Sequence, residues 1–362
     1  MDESVRVYAI QFLSKAAMMS SWLFIPVIAD ELGIPYFEIG LIGVAYGLSM
    51  FLSYYLFGRL SDMMGRRKLF VELGFLVSSI AYASQLLMHD FVSMLLIQGF
   101  VGFSIGISSG PLVAYVSGFE RYKREIGRMS GFGSLGWGLG CLAAGAIGDY
   151  GLIFLMGAIL SVAGLFISLG MGERRAEVVK VPLFPLELIK KNYSVYLAYF
   201  LRNLGAWGVW ILFPIFLAKI GANGFWIGVI YAANELAQFP FMELVGRISE
   251  RVDERWIVRA GLILSATAFT SFTFASWYVE AIPIQLVIAM SWSCLYVGSL
   301  IYLLERNVEK ATSTGVLGSV ISGSRALGPF FGGAVAQLTG MAWSMYIAAI
   351  LAVAGLVVSS KL

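Results

Sequence analysis

Four ionisable side chains lie inside long apolar segments of this 362-residue chain: Lys15, Arg202, Glu235 and Arg325. A charged group in an apolar segment of this length is energetically costly, and it usually faces a cavity or an opposite charge. Such groups bind and release protons or recognise a charged or polar solute. These four residues are therefore the first candidates for a functional site.

Glu235 and Arg325 are candidates for proton coupling. Glu235 lies about 15 Å into its segment, at a helical rise of about 1.5 Å per residue, and Arg325 lies at a similar depth. Burial favours the neutral carboxylic acid and a nearby guanidinium favours the carboxylate, so a site with changing surroundings could bind and release a proton on Glu235. The alternative is a permanent Glu235–Arg325 ion pair that only fixes the helices, and the two interpretations do not exclude each other.

A second group of residues could line a cavity between helices. Its two cations could recognise an anionic or hydroxylated solute, or they could extend toward the membrane surface. Its aromatic rings could stack on a drug or a sugar, although many such rings form belts at the membrane surface. These candidates are Lys15, Arg202, Asn203, Trp207, Trp210, Tyr231, Asn234 and Trp137.

The composition excludes several other kinds of protein. Hydrophobic residues form 59% of the chain and charged residues only 13%, against about 25% charged residues in a typical soluble domain. This excludes a soluble enzyme, a disordered chain and a nucleic-acid binder, and it predicts a lipid bilayer as the surroundings. One histidine, His89, and two cysteines, Cys141 and Cys294, are too few for a His-based metal site or a disulfide framework. We expect no metal and no cofactor.

Twelve apolar runs are long enough to cross a bilayer, which takes about 20 residues. The first six are Val7–Ala29, Glu38–Leu60, Leu69–Met88, Phe91–Gly118, Gly127–Gly148 and Gly151–Met171; the second six are Tyr193–Leu217, Phe225–Arg247, Trp256–Ser276, Val279–Leu304, Thr312–Gln337 and Gly340–Ser360. The longest link between runs separates the sixth from the seventh. The sequence therefore predicts an all-α membrane protein with one six-helix bundle over residues 1–171, a linker over 172–192 and a second bundle over 193–362.

Basic residues cluster on one side of these spans. With a cytoplasmic N-terminus, every lysine and arginine would lie in cytoplasmic segments except Lys219 in an outer loop and Lys15, Arg202 and Arg325 within spans. Cytoplasmic loops of membrane proteins carry such an excess. The bias predicts that both termini and the linker are cytoplasmic, in a plasma or inner membrane.

The two halves of the chain repeat each other. At an offset of 188 residues, residues 7–67 align without gaps with residues 195–255, and the identical pairs include Trp22/Trp210, Pro26/Pro214, Gly58/Gly246 and Arg67/Arg255. Because each half has an even number of spans, both halves enter the membrane in the same direction. Parallel repeats of this kind are related by an axis along the membrane normal, and in such transporters the substrate site lies between the halves.

The loop after the second span carries a family signature. It reads Gly58-Arg-Leu-Ser-Asp-Met-Met-Gly-Arg-Arg-Lys68. This resembles the Gly-x-x-x-Asp-(Arg/Lys)-x-Gly-(Arg/Lys)-(Arg/Lys) loop of the major facilitator superfamily, with Met63 where the family usually has a base. The copy in the second half, residues 246–255, is degenerate. The resemblance implies twelve helices in two pseudo-symmetric bundles and secondary transport, without enzymatic activity.

The same loop is the candidate gate. Gly58 and Gly65 permit close helix approach and a tight turn. By resemblance, Asp62 faces the start of the eleventh span, near residues 312–314, when the inner gate is shut; the alternative is a basic loop that only sets topology. The gating residues are Gly58, Arg59, Asp62, Gly65, Arg66 and Arg67.

Shorter matches bear on the substrate. The stretch Phe24–Asp30 resembles the end of the first span in drug–proton antiporters, whereas Leu95 stands where the fourth-span motif of those proteins has an arginine. The leading hypothesis is a monomer that exports small amphipathic compounds in exchange for protons. The alternatives are transport of a sugar or another polar metabolite, and a non-transporting sensor or lipid-handling protein on the same fold. Since no Gly-x-x-x-x-Gly-Lys loop is present, the energy would come from a proton or solute gradient.

Overall fold

The computed structural model describes residues 2–34, 36–173, 178–210 and 212–362, and nearly all of them are helical. The α-helices in these residues are α1 (Glu3–Leu23), α2 (Ile25–Glu31), α3 (Tyr36–Met64), α4 (Arg67–Ser84), α5 (Phe91–Val116), α6 (Tyr122–Ile147), α7 (Tyr150–Leu169), α8 (Leu186–Lys191), α9 (Tyr193–Trp210), α10 (Phe213–Lys219), α11 (Gly224–Ile248), α12 (Glu254–Phe272), α13 (Ala281–Arg306), α14 (Lys310–Thr339) and α15 (Met341–Ser359). The all-α prediction is confirmed.

The helices match the twelve predicted spans, with differences at their ends. Seven helical segments in the described residues are long and apolar enough to cross a membrane by length and composition alone; they lie in α3, α4, α5, α6, α7, α13 and α15. The other five spans are α1–α2, α9–α10, α11, α12 and α14. Four of these five carry the intramembrane charges at positions 15, 202, 235 and 325, which lower their apolar content.

The first and seventh spans are each divided into two helices, whereas the sequence predicts that each span is continuous. The break falls at Phe24, with φ −98° and ψ −2°, and at Leu212, with φ −100° and ψ −12°. Each break precedes a proline, Pro26 or Pro214, by two residues. Proline has no N–H to donate to the carbonyl oxygen four residues earlier, so the first helix cannot continue through it, whereas proline is tolerated in the first turn of a new helix, where Pro26 and Pro214 lie. The repeat therefore gives both halves the same interruption.

The two most extensive contacts between the halves are those of α3 with α14 and of α6 with α11. Both contacts depend on positions without side chains. A Cβ atom at Gly315 would lie 2.4 Å from the carbonyl oxygen of Tyr54, and one at Gly127 would lie 2.4 Å from that of Met242. Gly127 and Gly315 are 188 residues apart, as are Tyr54 and Met242. The repeat thus extends from the aligned first spans to the helices that join the halves.

We call the end that carries both termini, the 58–68 loop and the linker the basic end. A buried apolar cluster crosses from one half to the other there, and it includes Tyr8, Val113, Tyr196, Met242 and Leu300. Toward the opposite end, the buried clusters each belong to a single half, with residues 206–349 in one and residues 17–158 in the others. The halves are therefore joined by continuous packing at the basic end.

The described part of the linker lies along the second span. The backbone N–H of Val179 donates to the carbonyl oxygen of Asp62 at 3.1 Å, and Arg59 Nε donates to the carbonyl oxygen of Val181 at 2.9 Å. Helix α8 then leads into α9. Residues 174–177 of the predicted linker lie outside the described residues, and the predicted domain boundaries at 171 and 193 stay predictions.

At the opposite end, α5 begins at a capped turn. Asp90 Oδ1 accepts the backbone N–H of Ser93 at 2.8 Å, which satisfies an otherwise free donor of the first turn. Hydrogen bonds from the side chain and backbone of Ser93 hold the pKa of the exposed Asp90 carboxyl below its usual value.

Candidate functional site

A cavity of about 130 Å³ lies between the two halves. Its walls come from α1, α3, α5, α6, α11, α13 and α14, so both halves contribute. Two of the predicted residues with charge, Lys15 and Arg325, line it together with Trp137, and its described lining contains no Asp or Glu. Gln11, Tyr54, Trp292 and Tyr296 add polar and aromatic surface. The cavity can therefore contact both a ring system and a polar or negative group.

Aromatic rings hold the guanidinium of Arg325. Its central carbon lies 4.5 Å from the ring centroid of Trp207 and 5.7 Å from that of Trp137. A cation over an aromatic face is attracted by the ring quadrupole. Trp137 belongs to the first half and Trp207 to the second, so the stack connects the halves. Arg325 Nε is buried and lacks an acceptor among the described residues.

Glu235 belongs to a network of amides at the same boundary. It accepts a hydrogen bond from Gln238 Nε2 at 3.3 Å, and the same nitrogen donates to Asn234 Oδ1 at 2.7 Å. Ser134 Oγ of the first half donates to Gln238 Oε1 at 3.0 Å, and Asn234 Nδ2 donates to Gln285 Oε1 at 2.8 Å. A change in the charge of Glu235 would therefore be felt by side chains of both halves.

Glu235 and Arg325 lie close enough to interact through space, but no direct ion pair joins them in the described residues. Glu235 lies instead against α6, where a Cβ atom at Gly138 would be 3.8 Å from its own Cβ. In this state the two groups are not the fixed ion pair that the second sequence interpretation requires.

Six of the eight predicted cavity residues do not line the cavity. Trp207 and Asn234 contact residues that do line it, Arg325 and Gln238, and the other four lie within the second half. Arg202 and Asn203 are at most 2% exposed, inside the second half, where Arg202 Nη1 donates to Asn203 Oδ1 at 3.0 Å. Trp210 and Tyr231 pack in the apolar cluster of the second half, and the Tyr231 hydroxyl donates to the carbonyl oxygen of Trp210 at 3.4 Å. None of the four is part of the cavity lining.

The structure brings Asp62 to the start of α14, as the family resemblance implies. The fully buried carboxylate accepts the backbone N–H groups of Ala311 at 3.2 Å and Thr312 at 2.6 Å, and the Thr312 hydroxyl at 2.6 Å. Arg67 Nη2 forms an ion pair with it at 2.5 Å, and Arg67 Nη1 donates to Ser61 Oγ. An anion at a helix N-terminus is stabilised by the free N–H groups and by the helix dipole.

The other residues of the predicted gate surround this contact. A Cβ atom at Gly58 would lie 2.4 Å from the carbonyl oxygen of Ala311, so only glycine permits this approach. Gly65 has φ +64°, in the region that glycine adopts at no steric cost, and it turns the chain into α4. Arg59 binds the linker, whereas Arg66 is exposed at the N-cap of α4.

On the other side of the basic end, ionic contacts join α6 to the second half. Arg128 Nε pairs with Glu243 Oε1 at 3.0 Å, and Lys123 Nζ pairs with Glu305 Oε1 at 2.7 Å. Lys123 Nζ also donates to the carbonyl oxygen of Ser249 at 3.2 Å, within the degenerate copy of the signature loop. Polar contacts thus hold both sides of the basic end.

Sequence reasoning missed several of these residues. Gln238, Ser134 and Gln285 carry no charge, so nothing in their segments singles them out. Gly127 and Gly315 could have been found, because extending the 188-residue offset beyond residue 255 pairs them.

Comparisons with known proteins agree with this architecture. The sequence profile of the Major Facilitator Superfamily matches residues 7–192 and 195–362. The quinolone resistance protein NorA of Staphylococcus aureus is 25% identical over 152 residues, which is 41% of this chain and 39% of NorA. This chain thus matches about two fifths of the length of NorA. An MFS-type transporter of Methanocaldococcus jannaschii is 25% identical over 297 residues, or 74% of this chain and 76% of that protein.

A solved structure has the same fold over the whole chain. The crystal structure of the human organic anion transporter MFSD10 (TETRAN) superposes with a TM-score of 0.84, covering 99% of this chain and 98% of that one, at 17% identity. The prediction of twelve helices in two pseudo-symmetric bundles is confirmed by this match and by the family profile.

Proposed function

This chain belongs to the major facilitator superfamily of membrane transporters, and we propose that it exports small amphipathic compounds from the cell in exchange for protons. The observation that carries the proposal is the placement of Glu235. This carboxylate lies at the boundary of the two halves, beside a cavity lined by aromatic rings, with an amide as its hydrogen-bond partner and a cation nearby.

The packing of the halves supports a mechanism of alternating access. The basic end is closed by the Asp62 contact, the glycine crossings and an apolar cluster that both halves share. In parallel-repeat transporters the halves rock around a site near the midplane. We assign the basic end to the cytoplasm from its excess of Lys and Arg, so this state would be closed to the cytoplasm.

Proton exchange would use the amide network. When Glu235 is charged, its carboxylate can accept the N–H of Gln238 and interact with Arg325 through space. When it is protonated, its O–H becomes a donor and the charge on this side of the cavity changes by one unit. A substrate that binds better to one of the two forms would then be linked to proton binding.

The similarity to NorA supports export of amphipathic compounds. The match covers two fifths of NorA, which is a quinolone resistance protein. A second candidate function is transport of a polar or anionic metabolite. One feature of the described cavity lining favours it, because Lys15, Arg325 and Gln11 offer hydrogen-bond donors and no carboxylate lies among them. For either solute, the aromatic rings supply stacking surface.

The test uses purified protein reconstituted in liposomes with an imposed pH gradient. We expect accumulation of a fluorescent amphipathic cation with a permanent charge in the lumen to follow the gradient, and we expect Glu235→Gln to uncouple transport from the gradient, so that the dye only equilibrates. Glu72→Gln is the matched control, because Glu72 pairs with Lys68 at 3.4 Å on α4, outside the cavity lining.

Gradient-driven accumulation that persists in Glu235→Gln would overturn the proton role of Glu235. Thermal stabilisation by sugars or organic anions alone, with none by several unrelated lipophilic compounds, would replace export of amphipathic compounds by the second candidate.

A further inference from the structure

The second half contains a buried cation that the transport site does not use. Arg202 is 2% exposed and lies on α9, away from the cavity lining. No Asp or Glu pairs with it in the ranges that the structure describes. A guanidinium stays protonated in proteins, so this position carries a full positive charge. Taking one ion out of water costs several kcal/mol unless other groups compensate it.

Part of the compensation is visible. Arg202 Nε donates to Ser265 Oγ at 2.8 Å, and Nη1 donates to Asn203 Oδ1 at 3.0 Å. The guanidinium carbon lies 5.7 Å from the ring centroid of Phe269 and 5.5 Å from that of Trp292. These are neutral groups, so the charge itself is not balanced.

The neighbouring acceptors are already in use. Ser265 Oγ lies 2.5 Å from Ser291 Oγ, which donates to the carbonyl oxygen of Gly261 at 2.8 Å. With Ser291 donating to the carbonyl, Ser265 donates to Ser291 and accepts from Arg202. The hydroxyl chain is therefore directed away from the guanidinium.

Three donors remain without acceptors in this part of α9. Arg202 Nη2, Asn203 Nδ2 and the Tyr199 hydroxyl are all buried, and none of the three meets an acceptor in hydrogen-bond geometry among the described residues, although Asn203 lies close enough to Tyr199 to interact with its hydroxyl. They lie on one helix at i, i+3 and i+4, which places them on one face. Buried polar groups are nearly always hydrogen-bonded, so three such donors beside one uncompensated cation call for an acceptor with negative charge.

We propose that Arg202, Asn203 and Tyr199 bind a small monovalent inorganic anion such as chloride inside the second half. One negative charge matches the one unpaired cation. Tyr199 and Asn203 are fully buried, so a large organic anion could not reach these donors without displacing the side chains packed on them. Trp292 separates the cluster from the central cavity, because one ring contacts Arg202 and lines that cavity.

The test is thermal unfolding of the purified protein at constant ionic strength, with chloride or bromide replacing gluconate. We expect saturable stabilisation by the halides, with an upper shift of roughly 2 °C or more, and none by gluconate. Arg202→Gln should abolish the shift. Arg202→Lys, which keeps the charge and loses the planar fork, should weaken halide binding about tenfold. An anomalous-scattering peak of bromide between these residues would locate the ion directly.

Arg325→Gln is the matched control, since it removes a buried cation of the cavity and should keep the halide effect. Glu235→Gln should keep it too, so a failure here leaves the transport proposal standing. The same melting temperature in chloride and gluconate would overturn the proposal in favour of buried water. A halide effect lost in Arg325→Gln and kept in Arg202→Gln would place the anion in the cavity instead. Should Arg202→Gln not fold, the wild-type titration and the bromide position decide.

Discussion

At the residue scale, the closed basic end depends on one carboxylate that satisfies donors of another bundle. Asp62 is fully buried, yet Arg67 balances its charge and the first N–H groups of α14 use its lone pairs. A buried ion pair of this kind adds little to stability by itself. Its effect lies in the difference between states, because the bonds to Ala311 and Thr312 exist only while the halves touch here.

We predict that Asp62→Asn opens the basic end. Asparagine keeps one acceptor but loses the charge, and a hydrogen bond to a charged group contributes about 1.5–3 kcal/mol. The backbone amides of Ala311 and Thr312 should then exchange with deuterium about tenfold faster or more. Hydrogen-exchange mass spectrometry of residues 308–316 measures this.

Asp90→Asn is the control for that experiment, since it is the same chemical change at an exposed helix cap of the opposite end. It should leave exchange at residues 311 and 312 as in the wild type. Unchanged protection of those amides in Asp62→Asn would contradict the gating role.

At the element scale, the contact between halves is made by helices that approach backbone to backbone. Small residues allow such approach in membranes, where packing rather than hydrophobicity joins helices. There are two such crossings, Gly315 on Tyr54 and Gly127 on Met242. In each, an added Cβ atom would lie 2.4 Å from the carbonyl oxygen of the facing residue. Each is therefore a steric requirement for closure and independent of the charge of Asp62.

We predict that Gly315→Ala and Gly127→Ala each hold the basic end open. Extra volume at a tight contact costs about 1–3 kcal/mol, which corresponds to a shift of about fivefold to 150-fold toward the open state. Spin labels at Met64 and Val308, both exposed at this end, should report a longer distance by pulsed electron paramagnetic resonance.

The repeat supplies matched controls on the same helices. Gly333 on α14 and Gly145 on α6 are also 188 residues apart, and an added Cβ at either meets nothing within 4 Å. Alanine at these positions should leave the distance distribution unchanged. A distribution in Gly315→Ala or Gly127→Ala that equals the wild type would show that the crossing does not limit closure.

At the scale of the whole molecule, the sequence predicts the number of spans and their repeat better than the composition of the site. Span length and loop charge are local properties. The rotation of a span is not, because helices that are apolar on every face carry no periodic pattern to show which face turns inward. Arg202 and Arg325 look alike in sequence, yet only Arg325 reaches the cavity. The helix breaks near the two prolines are the opposite case, because a local property of proline gives the same interruption in each half.

The two halves also meet through charge, and this contact can be exchanged. Arg128 of the first half pairs with Glu243 of the second at 3.0 Å, while Arg247 Nη2 donates to the same carboxylate oxygen at 2.5 Å. Both partners of the first pair are partly exposed, so the pair is worth roughly 0.2–1 kcal/mol and weakens with salt. Its position makes that energy act on the opening of the whole molecule.

We predict that Arg128→Glu or Glu243→Arg alone favours the state open at the basic end, because each places like charges across the boundary. The double variant restores a pair of opposite charges, so its closed population should be about twofold larger than the two single effects predict when they are added. Arg247 lies beside the new arginine at position 243 and limits this recovery. Single-molecule fluorescence between labels at Arg121 and Arg251 measures the closed fraction. Effects that simply add, at low and at high salt, would show that the pair does not couple the halves.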